Sequence, residues 1–202
     1  MPSTEAFVCE DGLVPQAVPL RRLSRKQLTN TLRELLRFAL PTSPSEQQQV
    51  FAGIADLLDQ VPEDERQGPN GHWGGFRRVD QVVNQEHVER GYEIATALGA
   101  VLSEPGRLAL VAGECAVDGS STNDMACLDA FIRAFGERAL RRAINDDDVA
   151  FYGEVAGEAP LEQADWADVI ALLLASPHFL YFVEHGDAVV DEGAQVYAMD
   201  GY

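Results

Sequence analysis

The chain has 202 residues, enough for one large domain or two small ones with a sizeable hydrophobic core. Hydrophobic residues make up 46% and charged residues 24%, values close to globular averages that argue against a disordered or fibrous protein. The net charge of −18 disfavours nucleic-acid binding because a polyanion would mostly be repelled, and no apolar run approaches the roughly 20 residues of a membrane span, so no transmembrane segment is expected.

The first predicted segment is an N-terminal arm, residues 1–17, which has neither the basic start nor the apolar core of a signal peptide. It fits an excised mature segment as well as it fits a cytosolic protein. A first helical module follows over residues 18–104. Its first helix is capped by Ser24 and stops near Pro41, and its second begins within residues 42–46 and ends before Pro62. Each helix has one apolar face, so the two should form a hairpin.

A loop and a long third helix complete this module. Residues 62–81 are rich in Gly around His72 and Trp73, which is typical of a loop with an aromatic anchor. The third helix should open at or near Asn84 and run to Pro105. Its apolar stripe, expected to face the core, contains Val88, Tyr92, Ala95, Leu98 and Leu102.

The second half of the chain is predicted as a linker with a turn, residues 105–125, a second helical module, residues 126–186, and a tail, residues 187–202. Within the linker, residues 107–111 are expected to be extended. Helices are predicted up to Leu140, over about 146–155 and 163–175, and from Ser176 onward. The tail lacks helical periodicity and is expected to be extended. The predicted fold class is therefore all-α, with about seven helices.

Three separated segments resemble one family, in the same order along the chain. Residues 19–36 are similar to the family's opening, except that Leu28 replaces a Tyr. A second segment resembles a module in which a Cys precedes Phe-x-x-Arg-Ala-Phe-Arg-Arg-Pro, with Ala143 in place of the Pro. The third is Ser-Pro-His-Phe-Leu-Tyr-Phe-Val-Glu at residues 176–184. The matching positions of the second segment are Cys127, Phe131, Phe135, Arg138, Ala139, Arg141 and Arg142.

These segments resemble the N-terminal part of large secreted proteins built from consecutive domains of unknown function, which are expanded in planctomycetes and myxobacteria. The resemblance supplies no activity. It implies a secreted or periplasmic location and downstream modules that would follow the tail. Some relatives carry a haem c module with Cys-x-x-Cys-His, but this motif does not occur here, and no cofactor is expected.

The three cysteines favour one disulfide. Cys115 and Cys127 flank the turn at Asp118-Gly119, and a fold-back there would bring the two side chains together. A disulfide between them suits an oxidising compartment, whereas two buried free thiols are the alternative. Cys9 is then free or paired with a partner outside this chain.

No metal or catalytic site is predicted. His178 and His185 are two helical turns apart, about 10 Å along a helix axis, too far for both rings to bind one ion unaided. The acidic run at residues 146–148 is better explained as a helix start than as a paired-acid or calcium site. A second weak calcium candidate consists of Asp118, Asn123 and Asp124.

Basic and acidic residues are distributed unevenly along the chain. All fifteen Lys and Arg residues lie at or before Arg142, whereas residues 143–202 hold thirteen acidic side chains and no Lys or Arg. The acidic residues either keep the surface solvated or steer docking between modules or chains. Polar positions in the first family-like segment are expected to hold an acidic helix from later in the chain, for example through Glu184, or alternatively to bind a ligand anion. These positions are Arg21, Arg22, Asn30 and Arg33.

The other candidate interaction residues lie in the loop and in the second and third family-like segments. Trp73, Arg77 and Arg78 could stack on a sugar ring or a partner surface, although Trp73 packing onto its own domain is the alternative. Arg141, Arg142 and His178 complete the set, together with Glu184. Weak calcium or glycan binding is the corresponding ligand expectation.

Two functions are compatible with these observations. The first is a non-catalytic helical scaffold or docking region of a larger secreted or periplasmic protein, which binds downstream modules of the same parent protein or a protein partner. The second is part of an extracytoplasmic enzyme, acting on extracellular polymers or in redox chemistry, whose active site is completed by downstream modules. The first is favoured by the uneven charge, by the expected disulfide and by the absence of a Gly-rich phosphate loop and of a Gly-x-Ser-x-Gly elbow from the sequence.

Overall fold

The computed structural model describes residues 21–63 and 83–182 with their side chains, and the backbone of residues 186–191 and 196–199. Contacts divide the chain into a large unit, Arg21–Val183, and a small unit that contains the last two strands. The all-α fold class is confirmed, because the described part of the large unit consists of helices and one very short antiparallel strand pair. The α-helices are α1 Arg25–Ala39, α2 Pro44–Gly53, α3 Ala55–Gln60, α4 Gln85–Leu102, α5 Pro105–Val111, α6 Asp124–Leu140, α7 Asp146–Gly153, α8 Gln163–Ala175 and α9 Pro177–Leu180.

Four short strands accompany the helices. In the large unit, β1 (Arg21–Arg22) pairs antiparallel with β2 (Tyr181–Phe182). In the small unit, β3 (Gly186–Asp191) pairs antiparallel with β4 (Val196–Met199), with Val189 opposite Tyr197.

Side-chain caps define the helix starts that the sequence predicted. The Ser24 hydroxyl accepts a hydrogen bond from the Gln27 backbone N–H, and the Gln27 side chain accepts one from the Ser24 N–H at 2.8 Å. Asn84 forms the same reciprocal arrangement at the start of α4. Such caps satisfy N–H groups that have no partner inside the helix, so polar sequence signals mark where a helix begins.

Residues 107–111 are helical, and the prediction of an extended segment there is wrong. Pro105 occupies the first position of α5, where its missing N–H costs nothing. The helix is held by the burial of Leu108 and by Arg107, whose Nε donates to the Glu46 carboxylate of α2 at 2.7 Å. Tertiary contacts thus stabilise a helix too short and too rich in Gly and Pro to be recognised from its sequence.

The buried face of α4 matches the predicted stripe only in part: Ala95, Leu98 and Leu102 are buried as predicted. Val88 and Tyr92 are 56% and 64% exposed, so they do not belong to the core. The face is instead made partly of small residues, and a Cβ added at Gly99 would lie 2.4 Å from the Ala167 carbonyl oxygen of α8. The two helices therefore approach at backbone distance. The buried residues of α4 are Gly91, Ile94, Ala95, Leu98, Gly99 and Leu102.

One hydrophobic core includes residues from both predicted modules, 18–104 and 126–186. Its largest buried side chains include Trp166 of α8 and Phe135 of α6. None of the described helices is by itself long and apolar enough to cross a membrane. Helices α4 and α5 pass that test only as a pair, and they meet at a bend of 98°.

The Gly99→Ala variant is expected to lower the free energy of unfolding by about 2 kcal/mol, because the added methyl group forces α4 away from α8. Gly53→Ala is the matched control, since a Cβ at Gly53 meets nothing within 4 Å and alanine favours the helix. Urea unfolding monitored by circular dichroism measures both variants. Equal stability of Gly99→Ala and wild type would contradict the described packing.

Candidate functional site

Arg141 connects the end of α6 to the end of α9. It terminates α6 in the left-handed conformation, with φ of 56°. Its Nη2 donates to the carbonyl oxygens of His178 at 2.8 Å, Phe179 at 3.1 Å and Tyr181 at 2.8 Å. Burial lowers the pKa of Arg141 below its ordinary value, but a guanidinium remains charged at neutral pH. One cation thus satisfies carbonyl groups that a short helix leaves without partners.

Arg142 forms a bidentate ion pair with Asp148 at the start of α7. Both nitrogen–oxygen distances are 2.6 Å, and the two side chains are 17% and 15% exposed. Asp148 also accepts a hydrogen bond from the Asn145 backbone N–H at 3.0 Å. Its hydrogen bonds with Arg142 hold the pKa of Asp148 below its ordinary value, although burial acts in the opposite direction. The pair fixes the turn between α6 and α7.

Ser176 joins α7 to α9. Its hydroxyl oxygen accepts a hydrogen bond from the His178 backbone N–H at 3.2 Å, which confirms the predicted helix cap. The Tyr152 hydroxyl of α7 donates to the same oxygen at 3.0 Å. Both side chains are buried, and the helix that Ser176 opens has only four residues before β2 begins. Residues Arg141, Arg142, Asp148, Tyr152, Ser176 and His178 are together called the α6–α9 network below.

The first and third family-like segments meet at β1 and β2. Arg21 lies opposite Phe182 and Arg22 opposite Tyr181. The Arg21 guanidinium also lies over the Phe182 ring, 5.3 Å from its centroid, and Arg22 is buried with its Nη1 donating to the Leu23 carbonyl oxygen. These contacts bring two predicted interaction residues next to Tyr181 and Phe182 of the third segment. That the arginines hold an acidic helix stays a prediction.

A groove between α1 and α6 gathers further predicted residues. Asn30 of α1 and Arg141 line it. Arg33 is not part of it, because its guanidinium stacks on the Phe51 ring of α2 at 4.4 Å. Arg138 also lines the groove and was not among the predicted interaction residues, although it belongs to the second family-like segment. The residues that line the groove include Asn30, Glu34, Leu35, Arg37, Phe38, Arg138 and Arg141.

The two predicted cysteines lie at disulfide distance. The sulfur atoms of Cys115 and Cys127 are 2.01 Å apart, and the bond links the short 3-10 helix Glu114–Ala116 to the first turn of α6. Cys127 is buried in the core. The bond therefore closes the turn region onto the helix that carries Arg138 and Arg141.

The acidic residues weighed as calcium ligands bond to separate partners. Asp118 accepts from the Asn123 side chain at 2.8 Å and from the Ser120 N–H at 2.7 Å, which together lower its pKa. Asp124 accepts from the Leu161 N–H at 2.8 Å. Within residues 21–63 and 83–182, no three His, Cys, Asp or Glu side chains form a group that could hold a metal ion.

Several predicted residues lie outside the described side chains. They are Cys9, His72, Trp73, Arg77, Arg78, Glu184 and His185.

Residues 127–184 match the model of a family described as PSD5, a protein of unknown function (DUF1595). The match begins at the disulfide-bonded Cys127 and includes the whole α6–α9 network. No curated protein and no solved structure matches the chain. The match supports the expectation of a domain of unknown function in this part of the chain.

Replacing both Cys115 and Cys127 by Ala is expected to lower the free energy of unfolding by about 3 kcal/mol, because the unfolded chain loses a short closed loop. Denaturant unfolding measures this difference. Treating the wild-type protein with a reductant should shift its midpoint to a similar extent. A reductant-treated wild type that unfolds at its original midpoint would contradict a stabilising role for this bond.

The Asp148→Asn variant is expected to be about 2 kcal/mol less stable than wild type at pH 7, because Arg142 then lacks its carboxylate partner. The pKa of Asp148 is lower in the folded chain than its unfolded value of about 3.9, so its contribution is full above that value and is lost as pH falls through the folded pKa. The stability difference between variant and wild type should therefore shrink below about pH 4.

Denaturant unfolding of Asp148→Asn and wild type, measured from pH 7 down to pH 3, gives this difference in stability at each pH. Asp147→Asn is the control, since Asp147 is an exposed residue of the same helix. A stability gap between Asp148→Asn and wild type that is constant across the whole pH range would argue against the ion pair.

Proposed function

We propose that this chain is a non-catalytic helical scaffold that serves as a docking region in a larger secreted or periplasmic protein. The observation that carries the proposal is the α6–α9 network, which lies within the segment that matches the family of unknown function. The polar groups of that network that could take part in chemistry, namely a hydroxyl, a carboxylate and two guanidinium groups, bond to one another or to backbone atoms. These bonds stabilise the fold of the chain itself.

The hydrogen bonds of the Ser176 hydroxyl, the Asp148 carboxylate and Arg141 Nη2 support a structural role. The Ser176 hydroxyl accepts two hydrogen bonds, and both carboxylate oxygens of Asp148 are bonded to Arg142. Nη2 of Arg141 is shared among three carbonyl oxygens. A nucleophile or general base needs an oxygen or nitrogen that can face a substrate, whereas buried groups with satisfied hydrogen bonds contribute to a unique fold.

Docking to another module is supported by charge and by context. Arginines line the groove between α1 and α6, whereas the last part of the sequence is strongly acidic, so the chain carries charges of both signs that favour association. The disulfide suits an extracytoplasmic location. The resemblance to planctomycete and myxobacterial secreted proteins adds the expectation that the partner surface belongs to downstream modules of a common parent.

The Ser176→Ala variant tests the scaffold role. It removes the cap of α9 and the partner of the buried Tyr152 hydroxyl, so the free energy of unfolding is expected to fall by about 2 kcal/mol. Tyr152→Phe should cost about 1 kcal/mol. Ser45→Ala, at an exposed position of α2, is the control and should be nearly neutral.

Chemical denaturation of the three variants distinguishes a structural role of the network from a catalytic one. Residues kept for catalysis often reduce stability, and replacing them then leaves the protein as stable or more stable. If Ser176→Ala and Tyr152→Phe both unfolded at or above the wild-type midpoint, the scaffold proposal would be abandoned.

A further inference from the structure

We propose that the groove between α1 and α6 binds an acidic, carboxylate-bearing segment of a protein partner. Arg138 and Arg141 would supply the charge and Asn30 a neutral hydrogen-bonding group. This inference rests on the proposed docking function and deepens it, because it names the surface and the chemistry of the partner.

Arg138 is the exposed anchor of the groove. Its guanidinium lies over the Phe38 ring, 5.2 Å from the ring centroid. Stacking of this kind fixes the plane of the guanidinium and leaves its N–H edges open to a further ligand. No carboxylate lies within ion-pair distance of Arg138 among the residues with described side chains. The planar fork of donors matches the two oxygens of a carboxylate.

Arg141 adds a second positive charge without a counter-ion. Its Nη2 is occupied by three carbonyl oxygens, which carry no formal charge. Its Nη1 is enclosed and has no hydrogen-bond partner in the part of the chain that the structure describes. A partly buried guanidinium that is bonded only to neutral groups is stabilised by a nearby anion, because the reduced dielectric around it strengthens the attraction.

The groove has a net positive charge. Glu34 forms an ion pair with Arg37 one helical turn away, so these two residues together add no net charge. The net charge of the groove is therefore +2, from Arg138 and Arg141. The side chain of Asn30 is exposed beside them and can donate to or accept from a peptide backbone.

The shape and composition favour a protein segment as the occupant. The groove runs between two helices, and its wall includes Phe38, which is 40% exposed, and the buried Leu35. A segment with acidic and apolar side chains would pair its carboxylates with the arginines and place an apolar group against Phe38. Such a combination of an aromatic contact with charge-assisted hydrogen bonds is typical of peptide-binding surfaces.

Fluorescence anisotropy with a labelled, Glu-rich peptide that also contains Leu residues tests the groove. At low ionic strength the peptide should bind the full chain saturably, and its counterpart with Gln in place of every Glu should not. Arg138→Gln should weaken binding about tenfold, and Asn30→Ala about threefold. Lys26→Gln is the matched control, because it removes one positive charge from an exposed position of α1 outside the groove, and should change the affinity less than twofold.

Arg138→Lys keeps the positive charge but removes the planar set of guanidinium N–H donors. This variant should bind the acidic peptide more weakly than wild type and more tightly than Arg138→Gln. Circular dichroism and denaturant unfolding of Arg138→Gln check that its fold is intact. Little loss of stability is expected, because the Arg138 side chain is exposed and its guanidinium stacks on the Phe38 ring at the surface. Arg141 is left unchanged in this experiment because it also supports the backbone of α9.

Three results would overturn the groove as the site. One is no binding of the acidic peptide at low salt. Another is an equal loss of affinity in Arg138→Gln and Lys26→Gln, which would mean diffuse attraction. The third is dimerisation of the wild-type chain that Arg138→Gln abolishes, because the occupant would then be a second copy. If the acidic peptide does not bind while Ser176→Ala still lowers the free energy of unfolding, the groove inference is wrong and the proposed scaffold role is retained.

Discussion

The close approach of α4 and α8 is the constraint on which the rest of the structure depends. At Gly99 there is no room for a side chain, since the Ala167 carbonyl of α8 occupies the space where a Cβ would lie. Eight residues earlier, on the same face of α4, a Cβ at Gly91 would lie 3.4 Å from the Leu180 side chain at the end of α9. One helix therefore positions both α8 and the chain that follows it. This placement brings β2 to β1 and lets Arg141 reach the carbonyl groups of α9.

The elements that could be predicted from the sequence are those whose ends are marked by their own side chains. Ser24 marks the start of α1 with its own side chain, and Ser176 marks the start of α9 in the same way, so both caps are readable without a structure. The buried face of α4 could be predicted only at Ala95, Leu98 and Leu102. Its other part could not, because Gly91 and Gly99 carry no hydrophobic signal while the exposed Val88 and Tyr92 do. Helix α5 was missed because its stability comes from Glu46 and other distant contacts. The groove was only partly predictable, since Asn30 and Arg138 are far apart in the chain.

The polar residues of the matched segment and the basic groove have complementary roles in this account. The α6–α9 network uses its own hydrogen-bonding groups to hold three helices in place. The same helix α6 that ends in this network presents Arg138 on its outer face, beside Phe38 of α1. A rigid internal network that orients an exposed charged surface is the arrangement expected of a docking scaffold, because a preorganised surface loses less conformational entropy on binding.

Native-state hydrogen exchange of the full chain tests most directly whether the α6–α9 network is part of a rigid scaffold. The account predicts that backbone amides of α4, α8 and the region from Arg141 to Leu180 that are protected by helical hydrogen bonds exchange with free energies close to that of global unfolding. Segments that move for catalysis or ligand capture belong to the least stable parts of a protein. If the amides around α7 and α9 exchanged through a local opening of much lower free energy while α4 stayed protected, the network would be a mobile element, and the scaffold account would be contradicted.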